Sequence, residues 1–230
     1  MAAPDDADER VLITADSLRD GSLIAAARLR AGGEAGGLLS DAEIEASLDA
    51  MLANHPPGED VWLFGYGSLM WNPAMHFAES KPGTVLGWHR SYCLWAHMGR
   101  GTPEAPGLML ALDRGGSSVG LLFRFPAATA RAELLLPWRR EMFTAAYTAR
   151  WVRVDTDTGP LRAATFVANR AHKRYAGRLT EAVIAAHLAV AKGSLGTCVE
   201  YLEHTLAVLR AHGHTDHRLE RLERMVLTAP

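Results

Sequence analysis

Hydrophobic and polar positions along this chain change period twice. Residues 1 to about 58 space their apolar side chains at helical intervals. A first helix is predicted through Leu23, Ile24, Ala27 and Leu29, stopping at Gly32-Gly33. A second is predicted from Ser40, where Glu43 completes a capping box and Leu39 with Ile44 supplies a hydrophobic staple. His55-Pro56-Pro57-Gly58 then reads as a loop. From Val61 the texture is that of short strands: VWLFG, Thr84 to His97, Leu108 to Asp113 and Val119 to Phe125, the last two joined by a hairpin turn at Gly115-Gly116. A helix from Ala128 to about Met142, interrupted or restarted at Pro137, breaks the β pattern. TARWVRV and LRAATFVA follow as strands around the turn Asp155 to Gly159. Helical spacing then returns over Thr180 to Lys192, Thr197 to His212 and Asp216 to Val226.

Strands first and helices last predict an α+β fold, because a parallel βαβ sheet would need a helix after each strand. About six short strands are enough to close a small mixed or antiparallel β-barrel without exposed edges. The domain division expected is 1–58 as a helical extension and 59–230 as the main domain. The arm carries no candidate catalytic group, so it is expected to be dispensable for activity and to pack on the main domain or on a second copy. Oligomeric state stays open.

Composition narrows the function classes. The chain has 230 residues, 48% hydrophobic and 22% charged, with 24 basic against 26 acidic residues and a net charge of −2. This is globular composition, and it argues against both a basic nucleic-acid binder and an acidic tail. No apolar run reaches the roughly 18 residues of a membrane span, and the start MAAPDDADER lacks the basic and apolar regions of a secretory signal. A soluble, cytoplasmic protein without a membrane partner is expected. Cys93 and Cys198 show neither disulfide nor zinc spacing and read as buried thiols.

Several segments have the residue types for chemistry. GYGSL, Gly65 to Leu69, follows a strand; its glycines permit a loop whose N–H groups turn toward an anion, or a plain strand-end turn. The spacing is neither that of a Walker loop nor of a dinucleotide fingerprint. In WRREM, Glu141 stands among arginines and apolar neighbours. Facing inward it would be a desolvated base; facing outward, a surface ion-pair partner. RGTPEAPG, Arg100 to Gly107, is a connector or a pocket wall. His212 to Asp216 to His217 could suggest a metal, but Gly213 and Asp216 read better as successive helix caps. No metal ligand set and no cofactor motif is identified.

Together FGYGSLMWNP, RGTPEAPG, WRREM followed by Tyr147, and GSLGTCVEYL resemble, in order and spacing, the ChaC family of glutathione-specific γ-glutamylcyclotransferases, over about Val61 to Val226. The resemblance implies a γ-glutamylcyclotransferase-like barrel with flanking helices, and release of 5-oxoproline and Cys-Gly from glutathione. It implies Glu141 as the catalytic carboxylate and Tyr66, Gly67, Ser68 and Leu69 as the loop holding the γ-glutamyl head, with Arg100, Tyr147 and Tyr201 also touching substrate. Leu108 stands where the family often has Arg, Lys192-Gly193 where it often has Gly-Pro, and Cys198 where it often has Asn. The alternatives are a cyclotransferase for other γ-glutamyl peptides or amines, and a catalytically silent binding or regulatory protein of the same fold.

Overall fold

The computed structural model describes residues 10–31 and 37–228. Three helices precede the first strand: α1 (Ala15–Arg19), α2 (Ser22–Ala31) and α3 (Asp41–Leu52). The sequence reading missed α1, whose Thr14–Ser17 capping box stabilises a helix of only 5 residues. α3 starts where predicted: the Ser40 hydroxyl accepts the Glu43 N–H and the Glu43 carboxylate accepts the Ser40 N–H. The stop predicted at Gly32-Gly33 lies outside the described residues.

The strands are β1 (Val61–Gly65), β2 (Glu79–Ala96), β3 (Gly107–Phe125), β4 (Tyr147–Thr156) and β5 (Gly159–Ala168). They form a closed barrel in the order β1-β3-β2-β4-β5, with β3 also meeting β5. The barrel thus has five strands, not six, because the hairpin predicted at Gly115-Gly116 is absent. Both glycines take positive φ, 95° and 68°, inside one continuous β3. Its later half pairs antiparallel with β1, Val61 opposite Phe125 and Gly65 opposite Leu121, while Leu112 pairs parallel with Val167 of β5. Two glycines at positive φ redirect a strand as readily as they reverse it, and the available edges decide which occurs. The β4–β5 hairpin forms as predicted, with Gly159 at φ 110° in its turn.

The chain divides into two compact units. The larger comprises 13–91 and 111–175. Its core lines both faces of the barrel wall, with Leu63, Phe64, Val85, Leu122, Phe125, Val154 and Phe166 at 1% exposure or less. A short helix α4 (Ser68–Trp71) follows β1, and α5 (Ala130–Met142) buries Leu134, Leu136 and Trp138. α5 runs through Pro137 without interruption, a difference from the expected break. Proline removes one N–H and crowds the preceding turn; here the burial of its apolar neighbours outweighs that. α3 packs against α5 with Ile44 and Leu48 fully buried, so the N-terminal arm folds onto its own chain.

The smaller unit holds the described parts of 1–12, 92–110 and 176–230. It contains α6 (Glu181–Val190), the short hairpin β6 (Lys192–Gly193) and β7 (Gly196–Thr197), α7 (Cys198–Ala211) and α8 (His217–Leu227). The three helices pack on one another through Ile184, Leu188, Leu202, Leu206, Leu219 and Leu222. Thr180, Thr197 and Asp216 are the N-caps, the last of them as the sequence indicated, and Gly213 takes φ 74° between α7 and α8. Among the described residues no helix is long and apolar enough to cross a membrane.

Candidate active site

Glu141 lies in the last turn of α5, with its side chain 14% exposed. Burial pushes its carboxyl above the ordinary range, opposed by the charge of Arg140. Arg140 Nε lies 3.2 Å from Glu141 Oε1, and the arginine side chain is 8% exposed. The carboxylate therefore faces inward, and its ion-pair partner is buried with it. A carboxyl raised in this way is protonated at a higher pH than usual and can take and return a proton nearer neutrality.

The GYGSL loop is fixed from beneath. The Tyr66 hydroxyl donates to Phe166 O at 2.7 Å, and the Phe166 ring meets the Trp138 ring edge-on at 4.8 Å. Trp138 is one helical turn before Glu141, so the loop and the carboxylate share one buried aromatic support. Thr165 Oγ1 donates to Phe64 O at 2.8 Å, and Arg90 Nε donates to Tyr66 O at 2.6 Å. Gly67 has φ −137°, which excludes the positive φ that its sequence context allowed. It is the N-cap of α4, and the Gly67 and Ser68 carbonyls accept from Met70 N and Asn72 N. Opening a turn of helix directly after the loop leaves the Ser68 and Leu69 N–H groups without intrahelical acceptors. Leu69 is buried against this turn, at 5% exposure.

Tyr147 begins β4 opposite Ala168, in the same unit as Glu141. The Arg174 guanidinium is pushed down by burial and drawn back by the Tyr147 phenol. A polar cavity of about 180 Å³ opens beside the start of β4, lined by Asp113, Arg114, Thr148, Arg150 and Arg170 among others. Burial pushes the Asp113 carboxyl up, but hydrogen bonds from Tyr175 and Arg170 hold it below its usual value.

In the smaller unit the structure brings RGTPEAPG and GSLGTCVEYL together. Leu195 N donates to Gly99 O at 2.7 Å, and Arg100 Nη1 donates to Thr197 O at 2.7 Å. Arg100, 6% exposed, lies with its guanidinium 5.5 Å from the Tyr201 ring centroid. A Cβ on Gly193 would stand 2.9 Å from Gly101 N, so these segments meet backbone to backbone. This is why the loop is glycine-rich: it is a packed wall of its own unit rather than a loose connector.

The model of the ChaC-like protein family matches residues 61–229. The chain belongs to that family. It is 48% identical over 158 residues to the glutathione-specific γ-glutamylcyclotransferase of Escherichia coli (strain K12), covering 68% of each chain. To a glutathione-specific γ-glutamylcyclotransferase 1 of Mus musculus it is 31% identical over 147 residues, 62% of this chain and 66% of the other. The crystal structure of a yeast γ-glutamyl cyclotransferase specific to glutathione superposes with a TM-score of 0.68 at 21% identity, covering 73% of this chain and 96% of that one. The fold is shared.

Of the departures from the ChaC-like pattern, Lys192 is exposed and Gly193 half-buried, whereas the other two are interior. Leu108 and Cys198 are both fully buried. The Cys198 thiol, pushed up by burial, donates to Arg100 O at 3.1 Å. Cys93 is likewise buried and outside any disulfide. Sequence reasoning missed Arg90, Thr165 and Phe166, which hold the loop from strands remote in sequence. Arg90 carried one signal, an isolated charge in the otherwise strand-like stretch before SYCLWA. Replacing it by Met leaves the Tyr66 and Val119 carbonyls without their donor. Arg90→Met is expected to lose roughly 1 to 3 kcal/mol in urea unfolding and to raise KM through a loosened loop.

Proposed function

We propose that this protein cyclises the γ-glutamyl group of glutathione, releasing 5-oxoproline and Cys-Gly, with Glu141 carrying the proton. The observation behind this is a buried carboxyl of raised pKa whose helix shares an aromatic support with the GYGSL loop. Family membership and the names of the E. coli and mouse relatives support glutathione as substrate. The substrate's own α-amine attacks its γ-amide carbonyl and forms the ring C–N bond; the bond to the cysteinyl nitrogen breaks. Glu141 takes a proton from the attacking nitrogen and delivers it to the leaving amine, so no water is consumed and no enzyme nucleophile is required. First-turn N–H groups after Gly67 grip the α-carboxylate or the developing oxyanion. Folding the γ-glutamyl chain into attack geometry supplies the orientation effect. In this reading Arg100, Tyr147 and Tyr201 also contact substrate, and residues 59–230 are the catalytic domain. The reading also puts the reaction in the cytoplasm and assigns neither a nucleic-acid nor a membrane partner.

Full-length protein mixed with glutathione is expected to give 5-oxoproline and Cys-Gly in equal amounts by chromatography. Other γ-glutamyl peptides and γ-glutamylamines, tested in parallel, are expected to react at least about tenfold more slowly. Preference for one of those would widen the substrate class while keeping the chemistry. A folded chain that consumes none of them would be a binding protein.

A further inference from the structure

The segment before β1 lies outside the family match at 61–229, yet it holds the residues around Glu141. Two positions before Glu141, Arg139 Nη1 donates to Leu18 O at 2.8 Å and Arg19 O at 2.9 Å, the last carbonyls of α1. Arg139 Nη2 also lies 3.7 Å from Glu45 Oε1 of α3. One position before, Arg140 Nη1 donates to Asn72 O at 2.6 Å, and Asn72 Nδ2 donates to Ile13 O at 3.2 Å. Two positions after, the C-cap carbonyl of Phe143 accepts from Leu39 N at 2.7 Å.

Pro137 gives these contacts their significance. It lies one turn before Glu141 and cannot donate to the carbonyl at position 133, so the hydrogen-bond ladder of α5 lacks one bond just before the turn that carries Glu141. Glu141 sits in that turn, and a misplacement of about 1 Å at a reacting group can cost on the order of 10²-fold in rate. Farther back, where the helix needs no such help, the arm is held by an exposed pair, Arg131 Nε to Asp49 Oδ1 at 2.7 Å.

We propose that residues 13–19 and 39–49 are a positioning clamp for the catalytic carboxylate, with Arg139 as the positioning residue that ties the last turn of α5 to α1 and α3. The proposal rests on the assignment of Glu141 above. It reverses the expectation, natural from the sequence, that the arm is dispensable.

The test uses full-length protein. Arg139→Met removes the guanidinium but keeps an apolar stem; Arg139→Lys keeps a donor within reach of the α1 carbonyls. Folding is checked by circular dichroism, and kcat and KM for glutathione are measured separately. Arg139→Met is expected to lower kcat by about tenfold or more with KM within about twofold, and Lys to recover much of the loss. A folded Met variant with wild-type kcat, or one that raises only KM or lowers only Tm, overturns the clamp. If Arg139→Met does not fold, Asn72→Ala decides. It deletes only the bond to Ile13 O: a lower kcat at unchanged KM supports the clamp, and wild-type kcat overturns it. Glu141→Gln in the same assay separates the two ideas. An inactive Gln variant beside a fully active Arg139→Met defeats the clamp alone, whereas an active Gln variant defeats the assignment on which it rests.

Discussion

Glu141→Gln is expected to lower kcat for glutathione by roughly 10² to 10⁴-fold with an unchanged circular dichroism spectrum. Gln keeps the shape and hydrogen-bonding capacity of Glu but cannot accept and return a proton. KM should change little, because the loop at Tyr66 to Leu69 provides the main grip in the proposed mechanism. Glu141→Asp withdraws the carboxylate by one methylene and is expected to lose most of the activity through misorientation. Wild-type turnover by the Gln variant would remove Glu141 from the reaction. The fallbacks are then poor ones: Glu200 is occupied with the Thr197 N–H, which holds its carboxyl below the ordinary value, and Glu133 accepts from His76 N at 2.9 Å.

The same variant carries a stability signature whose sign follows from burial. Burial raises the folded-state pKa of Glu141 above that of a free glutamate, so the folded chain holds this proton more tightly than the unfolded chain. Between the two values the native state binds more protons, and stability falls as pH rises through the folded pKa. Gln does not titrate. The Tm of Glu141→Gln minus that of the wild type should therefore increase from pH 5 to pH 8, and a difference independent of pH would show that the carboxyl is not perturbed in the fold.

Gly120→Ala is expected to give a large structural effect for a single methyl group in the barrel. Gly120 lies in β3, where a Cβ would collide with the Gly65 carbonyl oxygen and stand 2.7 Å from Phe64 Cζ and 2.9 Å from Phe64 Cε2. Backbone cannot yield as a flexible side-chain tip can, so β1 must shift just where it enters the GYGSL loop. Overpacking of this kind costs about 1 to 3 kcal/mol, which for a chain of this size lowers Tm by roughly 2 to 12 °C. Activity should fall beyond the stability loss, because the displaced segment carries the loop. Differential scanning calorimetry with steady-state kinetics checks both; unchanged Tm and kcat/KM would mean that β1 and β3 separate freely at this point.

How much of this was legible in the sequence depended on how local the deciding physics was. The capping box at Ser40 acts within four residues, so α3 could be started at the right position from sequence alone. The short β-rich runs located β1, β4 and β5, and the Gly159 turn joined the last two. β2 opens earlier than expected, at Glu79 and through Pro82, because a neighbouring strand can supply order that local propensity denies. Gly115-Gly116 is the plainest failure. The dipeptide permits both a hairpin and a redirected strand, and the choice fell to β1 and β5, partners that no local window contains.

For the candidate site the division runs the same way. The ordered motifs alone nominated Glu141, the loop from Tyr66 to Leu69, Arg100, Tyr147 and Tyr201, because family resemblance is written in residue types and spacing. Whether Glu141 faces solvent or the interior was undecidable there, since WRREM suits an exposed ion pair equally well. The closed barrel and the packing of α5 settled it by burying the carboxylate together with Arg140. Tertiary structure alone brought Arg90, Thr165 and Phe166 under the loop, and carried Leu18, Leu39 and Asn72 to the turn that holds Glu141. Sequence determines the elements and the chemical groups because propensity, capping and residue identity are local properties. Burial, and with it the proton affinity of one carboxylate, is a property of which distant surfaces meet.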